Sequence, residues 1–151
     1  MLRSELSDAL KIGMKAKEGR TVATIRLILA ALKDRDIAAR GKGNLDGIGD
    51  DDIRLMLQSM IKQRRESIAL YEKGGRLELA EEEADEINII QRFLPEQLGE
   101  EEMTAAITDV IAEAEATSLK DMGRVMAALK ERYAGRMDFA KASATVKAQL
   151  G

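Results

Sequence analysis

Serines, threonines, tyrosines and charged side chains are the groups this sequence has for chemistry, because it contains neither cysteine nor histidine. A serine nucleophile needs a neighbouring base to take its proton, and no imidazole is present to do so. No Ser-x-x-Lys pair stands in a glycine-rich site. The sequence therefore predicts no catalytic residue and no amide-transferring activity for this chain alone; the serines considered are Ser59, Ser67, Ser118 and Ser143.

The acidic run Asp50-Asp51-Asp52 follows a segment, 41–49, that contains four glycines. Acids are favoured at the positive end of a helix dipole, so the run indicates a cap and first turn rather than a metal site. The glycine segment has no preceding strand and lacks the Gly-Lys-Ser/Thr ending of a phosphate-binding loop, so it is interpreted as a mobile loop. We expect neither a metal nor a cofactor.

The net charge of −3 conceals a gradient along the chain. Residues 1–94 are balanced, residues 95–121 carry −7, and residues 122–151 carry +4. A phosphate backbone responds to a local patch rather than to the total charge, so the basic C-terminal stretch keeps a polyanionic partner possible.

The elements that position these groups are predicted to be helices throughout. Alanine, leucine, methionine, glutamate, lysine and arginine dominate, and apolar residues recur at helical spacing. We expect an all-α protein with an N-terminal four-helix bundle-like domain, 1–94, and a C-terminal three-helix domain, 95–151. Gly19 is expected to close helix 1, Thr21 to cap helix 2 and Asp138 to cap helix 7.

The segment Phe93-Leu94-Pro95 contains the only proline of the chain. Proline lacks a backbone N–H and disfavours the α conformation in the residue before it, so the fourth helix should end at Leu94. We interpret Phe93, Leu94 and Pro95 as an interdomain junction.

Two charged residues lie at the centre of apolar helix stripes, Asp36 on helix 2 and Arg64 on helix 3. A lone buried charge is costly, so we predict that Arg64 and Asp36 form an internal ion pair. No apolar run approaches the roughly 20 residues that a bilayer-spanning helix needs, and no signal-peptide core is present. The sequence thus predicts a cytoplasmic protein without a membrane partner.

Several segments together resemble the YqeY family, which is similar to the C-terminal region of GatB, a component of the tRNA-dependent amidotransferases. The matching segments occur in family order and span most of the chain: Met14-Lys15-Ala16-Lys17, Thr24 to Lys33, Lys62 to Ile68, Phe93 to Leu98, and Asp121 to Met126. The resemblance implies an all-helical protein with a larger N-terminal bundle and a small C-terminal domain. It also implies a link to tRNA, because the similar region of the amidotransferase contacts tRNA.

Three functions follow from the residues and the resemblance together. The first is a noncatalytic tRNA-binding protein, or an accessory protein of an enzyme that charges or amidates tRNA. The second is a protein–protein adaptor that docks through the junction, and the third is glutamine-dependent carbon–nitrogen ligase activity only within a larger complex. For the first, the expected RNA-binding residues are the basic ones of the C-terminal domain: Lys120, Arg124, Lys130, Arg132, Arg136, Lys141 and Lys147.

Overall fold

A computed structural model describes the protein from Met1 to Gly151. It contains helices and no strand, so the predicted all-α class is confirmed. A short 3-10 turn, Leu119–Asp121, precedes the sixth helix. The helices are α1 (Leu2–Lys15), α2 (Gly19–Gly41), α3 (Asp50–Lys73), α4 (Leu77–Gln91), α5 (Glu100–Glu113), α6 (Met122–Arg132) and α7 (Phe139–Leu150).

The chain divides into two compact units, here called unit 1 (Met1–Leu94) and unit 2 (Pro95–Gly151). Unit 1 contains α1 to α4, with α3 packed along α4 and α1 along α2. Its apolar stripes converge on side chains with no solvent exposure, among them Leu6, Ile28 and Leu57. Each such burial contributes about 1.5–3 kcal/mol, so packing holds these helices together.

Unit 2 contains α5, α6 and α7 around its own apolar cluster. Ile107, Val125 and Leu129 have no exposed surface, and Val146 of α7 closes the cluster. The start of the unit is tied to the turn before α7, because the Leu98 amide donates to the Arg136 carbonyl at 2.8 Å. Arg136 Nε in turn donates to the Glu96 carbonyl at 3.0 Å.

The proline segment behaves partly as predicted. Helix α4 ends at Gln91, three residues earlier than expected, and a tight turn follows in which the Phe93 amide donates to the Ile90 carbonyl. Phe93 and Leu94 are half-buried and pack against the core of unit 1. The early end arises because the turn, and not only the proline, stops the helix.

Two predicted helix caps are wrong and one is confirmed. The left-handed residue after α1 is Lys17, at φ 59°, whereas Gly19 already begins α2. Glu18 takes the N-cap position expected for Thr21, without a side-chain hydrogen bond. Asp138 caps α7 as predicted, accepting from the Ala140 and Lys141 amides at 3.0 and 3.3 Å.

A helix that crosses a bilayer must be both long and apolar. None of the seven combines the length and apolar character that crossing a bilayer requires.

The two apolar clusters give a testable expectation about the units. Every member of the first cluster lies before Pro95 and every member of the second lies after it. We predict that fragments 1–94 and 95–151 each retain helical circular dichroism when expressed separately. Loss of helicity in both fragments would show instead that the units depend on one shared core.

Candidate functional site

The first group of charged residues in the structure surrounds Arg64, and the predicted Arg64–Asp36 pair is wrong. Arg64 Nε donates to Glu86 Oε2 of α4 at 2.7 Å, and Glu83 Oε2 lies 3.9 Å away. Arg64 Nη1 also donates to the Met60 carbonyl at 3.2 Å. The arginine is largely buried, as expected, but α3 packs mainly on α4, which supplies the acids.

Burial of this group shifts the pKa of one of its acids. Desolvation, reinforced by the neighbouring Glu86 charge, raises the pKa of Glu83, while Arg64 opposes that rise. Two carboxylates in one place require the arginine between them. Arg64 therefore has a structural role rather than an RNA-binding one.

The second group, here called the Arg3 clamp, joins Arg3, Asp36 and Ile48. Arg3 forms two parallel hydrogen bonds of 2.6 Å with the Asp36 carboxylate, and it donates to the Ile48 carbonyl at 2.8 Å. The Ile48 amide donates back to Asp36 at 3.0 Å. A bidentate arginine–carboxylate pair with an added amide satisfies a buried acid fully. The Arg3 hydrogen bonds, helped by the Ile48 amide, lower the pKa of Asp36 to about 2 although burial opposes that shift.

The clamp also contradicts the interpretation of segment 41–49 as wholly mobile. Asn44 Nδ2 donates to the Gly47 carbonyl at 2.7 Å, and the Gly47 amide donates to the Asn44 carbonyl. Gly47 has φ 83°, and a Cβ there would lie only 2.8 Å from Asp36 Cγ. A glycine is therefore required where the loop meets the clamp.

The acidic run has structural roles in this part of the molecule. It lies in the first turn of α3, as predicted, but the N-cap is Gly49. Asp50 accepts from the Leu2 amide at 3.3 Å and Asp51 pairs with Arg54 at 2.9 Å. These contacts give Asp50 and Asp51 partners within the chain.

The predicted RNA-binding residues of unit 2 fall into two groups. The three arginines are engaged within the chain: Arg124 pairs with Asp121 at 3.0 Å, Arg132 pairs with Glu113, and Arg136 holds the Glu96 carbonyl. The Glu113 hydrogen bond raises the pKa of Arg132. The four lysines are exposed and make no ion pair; they are Lys120, Lys130, Lys141 and Lys147.

The surface around these lysines has little relief. Ala140, Ala144 and Ala148 are exposed along the outer face of α7, and their spacing of four keeps them on one side of the helix. Six positions rotate a helix by about 600°, which places Lys141 and Lys147 roughly 120° apart around α7. The three alanines lie between them, so the two lysines border that face on either side. Small side chains between long cations allow a flat, charged partner to approach closely.

Helix α5 is acidic, in contrast to the basic surface of α6 and α7. It carries five acids and no base, and all five acids are exposed: Glu100, Glu101, Glu102, Asp109 and Glu113. The helices α6 and α7 carry most of the basic residues of the unit, so its exposed charge is negative on α5 and positive on α6 and α7.

None of the four serines has gained a base in the fold. The Ser67 hydroxyl donates to the Gln63 carbonyl of its own helix at 3.2 Å, which is an ordinary helix interaction. Ser118 precedes the 3-10 turn without capping it.

Comparison with known proteins agrees with the resemblance seen in the sequence. Residues 3–150 match the family described as Yqey-like protein. A Lachancea thermotolerans protein named "Altered inheritance of mitochondria protein 41, mitochondrial" is 33% identical over 112 residues. Its namesake in Eremothecium gossypii is 36% identical over 91 residues, and "Uncharacterized protein C22F3.15" of Schizosaccharomyces pombe is 29% identical over 96.

The matches cover different shares of the proteins compared. They include 73%, 60% and 64% of this chain, in the same order. The chain spans 58% and 48% of the two proteins named for mitochondria, and 71% of the Schizosaccharomyces protein.

These comparisons correct one prediction and confirm another. The expected cytoplasmic location is contradicted, because relatives at about 33% identity are named as mitochondrial proteins. The family assignment made from the sequence segments is confirmed by a match over nearly the whole chain. The chain belongs to the Yqey-like protein family.

Proposed function

We propose that unit 2 binds the phosphate backbone of RNA, and that the protein acts as a noncatalytic partner of tRNA or of an enzyme that charges or amidates tRNA. The observation that carries the proposal is the set of four exposed lysines without an acidic partner on α6, α7 and the turn before α6. An unpaired surface cation can neutralise a phosphate, and so release counterions from the nucleic acid, without first breaking an ion pair within the protein. The arginines of the same unit already have partners within the chain.

The chemistry of this surface favours backbone contact over base recognition. Base stacking uses exposed aromatic rings, but Tyr133 and Phe139 are half-buried against the core of unit 2. Lysine is a compact point charge and does not select among bases. We therefore expect binding that depends strongly on salt and weakly on sequence.

The division between lysines and arginines determines the experiment. Changing the arginines would remove contacts with Asp121, Glu113 and Glu96 and would confuse folding with binding. The variant of choice replaces Lys120, Lys130, Lys141 and Lys147 with glutamine. We predict that it binds total tRNA at least about tenfold more weakly in a filter assay at roughly 100 mM salt.

A matched control with the same change in charge is available in unit 1. Lys11, Lys15, Lys62 and Lys73 are also exposed and make no ion pair. Their replacement with glutamine should leave tRNA affinity within about threefold of the parent. The slope of log affinity against log salt should fall by roughly 0.7 to 0.9 for each lost contact in the unit 2 variant alone. Equal losses in both variants would contradict a site on unit 2.

A further inference from the structure

The outer face of α2 carries a column of cations beside a strip that is mostly apolar. Arg26, Lys33 and Arg40 recur every seven residues and are all exposed. Seven residues advance a helix by about 10.5 Å, so the three cations extend over roughly 21 Å. Cations that far apart do not converge on one small anion, so the face fits an extended partner.

These three cations, here called the α2 cation column, have no hydrogen-bonded acidic partner, although Arg40 interacts with the charge of Asp36. Elsewhere in unit 1 the arginines with a structural role are paired, as Arg3 is with Asp36 and Arg64 with Glu86. No ion pair involves the α2 cation column. Its charge is therefore available to a partner.

The residues beside the column are apolar rather than polar. Ala23, Leu27, Ala30 and Ile37 form this α2 apolar strip, and Leu27 and Ile37 are 48% and 54% exposed. Two large aliphatic side chains on one exposed face gain from burial against another apolar surface. A phosphate backbone offers them nothing, whereas the apolar stripe of a helix does.

The seven-residue repeat identifies the geometry of the contact. Two helices packed at a shallow angle meet the same positions every seven residues, with charged side chains flanking the apolar seam. We propose that the outer face of α2 docks an amphipathic helix of another protein, with acidic residues placed to meet Arg26, Lys33 and Arg40. This surface lies on unit 1 and is independent of the RNA surface proposed for unit 2.

The two most acidic helices of a second copy do not supply such a helix. The acidic helices α4 and α5 already bury their apolar residues, such as Ile90 and Ile107, inside the two units. The exposed acid Asp34 lies within the apolar strip, seven residues after Leu27. The partner helix therefore needs a polar residue opposite Asp34, and acidic residues only along the edge that faces the α2 cation column.

The test uses two labelled peptides of four heptads that share leucine and alanine seam positions. One carries glutamate along the flanking edge and the other lysine. We expect the full-length protein to bind the glutamate peptide at least about tenfold more tightly than the lysine peptide in fluorescence anisotropy. The triple variant R26E/K33E/R40E should invert this preference, and L27Q/I37Q should weaken binding of the glutamate peptide at least about tenfold.

The control reverses three exposed, unpaired cations of α3, in the variant K62E/R65E/K73E, which has the same net charge as the α2 variant. This control should keep the preference for the glutamate peptide. The proposal is overturned if the parent protein shows no such preference, or if the α3 variant changes it as much as the α2 variant. It is equally overturned if L27Q/I37Q binds normally while total tRNA displaces the peptide, since the face would then be a nucleic-acid surface.

Discussion

Replacing Arg64 with methionine is expected to lower the free energy of unfolding by about 2–3 kcal/mol at pH 7. Methionine keeps the apolar volume of the side chain but removes the charge that lies between Glu83 and Glu86. Two partly buried carboxylates then repel each other without a cation. The expected loss of stability is smaller than for a fully buried ion pair, because both glutamates are about one quarter exposed. Water therefore screens part of their repulsion.

The pH dependence identifies the cause of this loss. Without Arg64, burial and the neighbouring Glu86 charge raise the pKa of Glu83 with no cation to oppose them, so the folded variant binds a proton more readily than the unfolded chain. The deficit should be largest at neutral pH and shrink as the pH falls through the glutamate range. Urea unfolding at several pH values measures it.

The neighbouring residue gives a close control for this substitution. Arg65 is exposed and has no ion pair, so Arg65→Met should change stability by less than about 0.5 kcal/mol. An equal loss in the two variants would show that helix propensity or net charge, and not the pair with α4, is responsible.

Replacing Asp36 with alanine is expected to cost about 3 kcal/mol. The change removes both hydrogen bonds from Arg3 and leaves the Ile48 amide without its acceptor. Asp34, two residues earlier on the same helix, is exposed and serves as the control. Asp34→Ala should be close to neutral, and similar losses at both positions would contradict the clamp as the source.

The charge of Asp36 also makes a definite contribution to acid stability. Its pKa is about 2 in the folded protein against a usual value of 3.8, so the stabilisation is fully present above about pH 4. It is lost as the pH falls toward 2, and amounts to about 2 kcal/mol. The difference in unfolding free energy between the parent and Asp36→Asn should therefore narrow between about pH 4 and pH 2. A difference that stays constant over this range would show that the folded protein does not hold the carboxylate in its charged form.

The two buried charged residues, Asp36 and Arg64, show how much of the fold can be predicted from the sequence. Helical periodicity places Asp36 and Arg64 on inner faces correctly, because each stands among apolar residues at helical spacing. Periodicity does not say which helices are neighbours. The prediction therefore paired Asp36 with Arg64, although each has a different partner in the structure. The role of Arg3 is not predicted, since the residue lies near the start of the given sequence. Gly47 leaves the space that Asp36 occupies in the clamp, but its sequence context does not distinguish it from other loop glycines.

The basic residues of unit 2 illustrate a similar limit. The Arg124–Asp121 pair spans three residues of one helical stretch and is within reach of sequence reasoning. The Arg132–Glu113 pair joins two helices, and the Arg136 contact with Glu96 joins two loops, so both depend on the packing. Sequence alone therefore treats seven cations as equivalent, whereas four are free in the fold.

The Arg3 clamp has a consequence for the order of folding events. It connects positions 33 and 45 residues apart, so it closes only after α2 and the loop that follows have taken their places. We expect contacts of this kind to form on the late side of the folding barrier, so that their loss accelerates unfolding more than it slows folding. On that expectation, the clamp slows the release of α1 and affects the unfolding rate more than the folding rate.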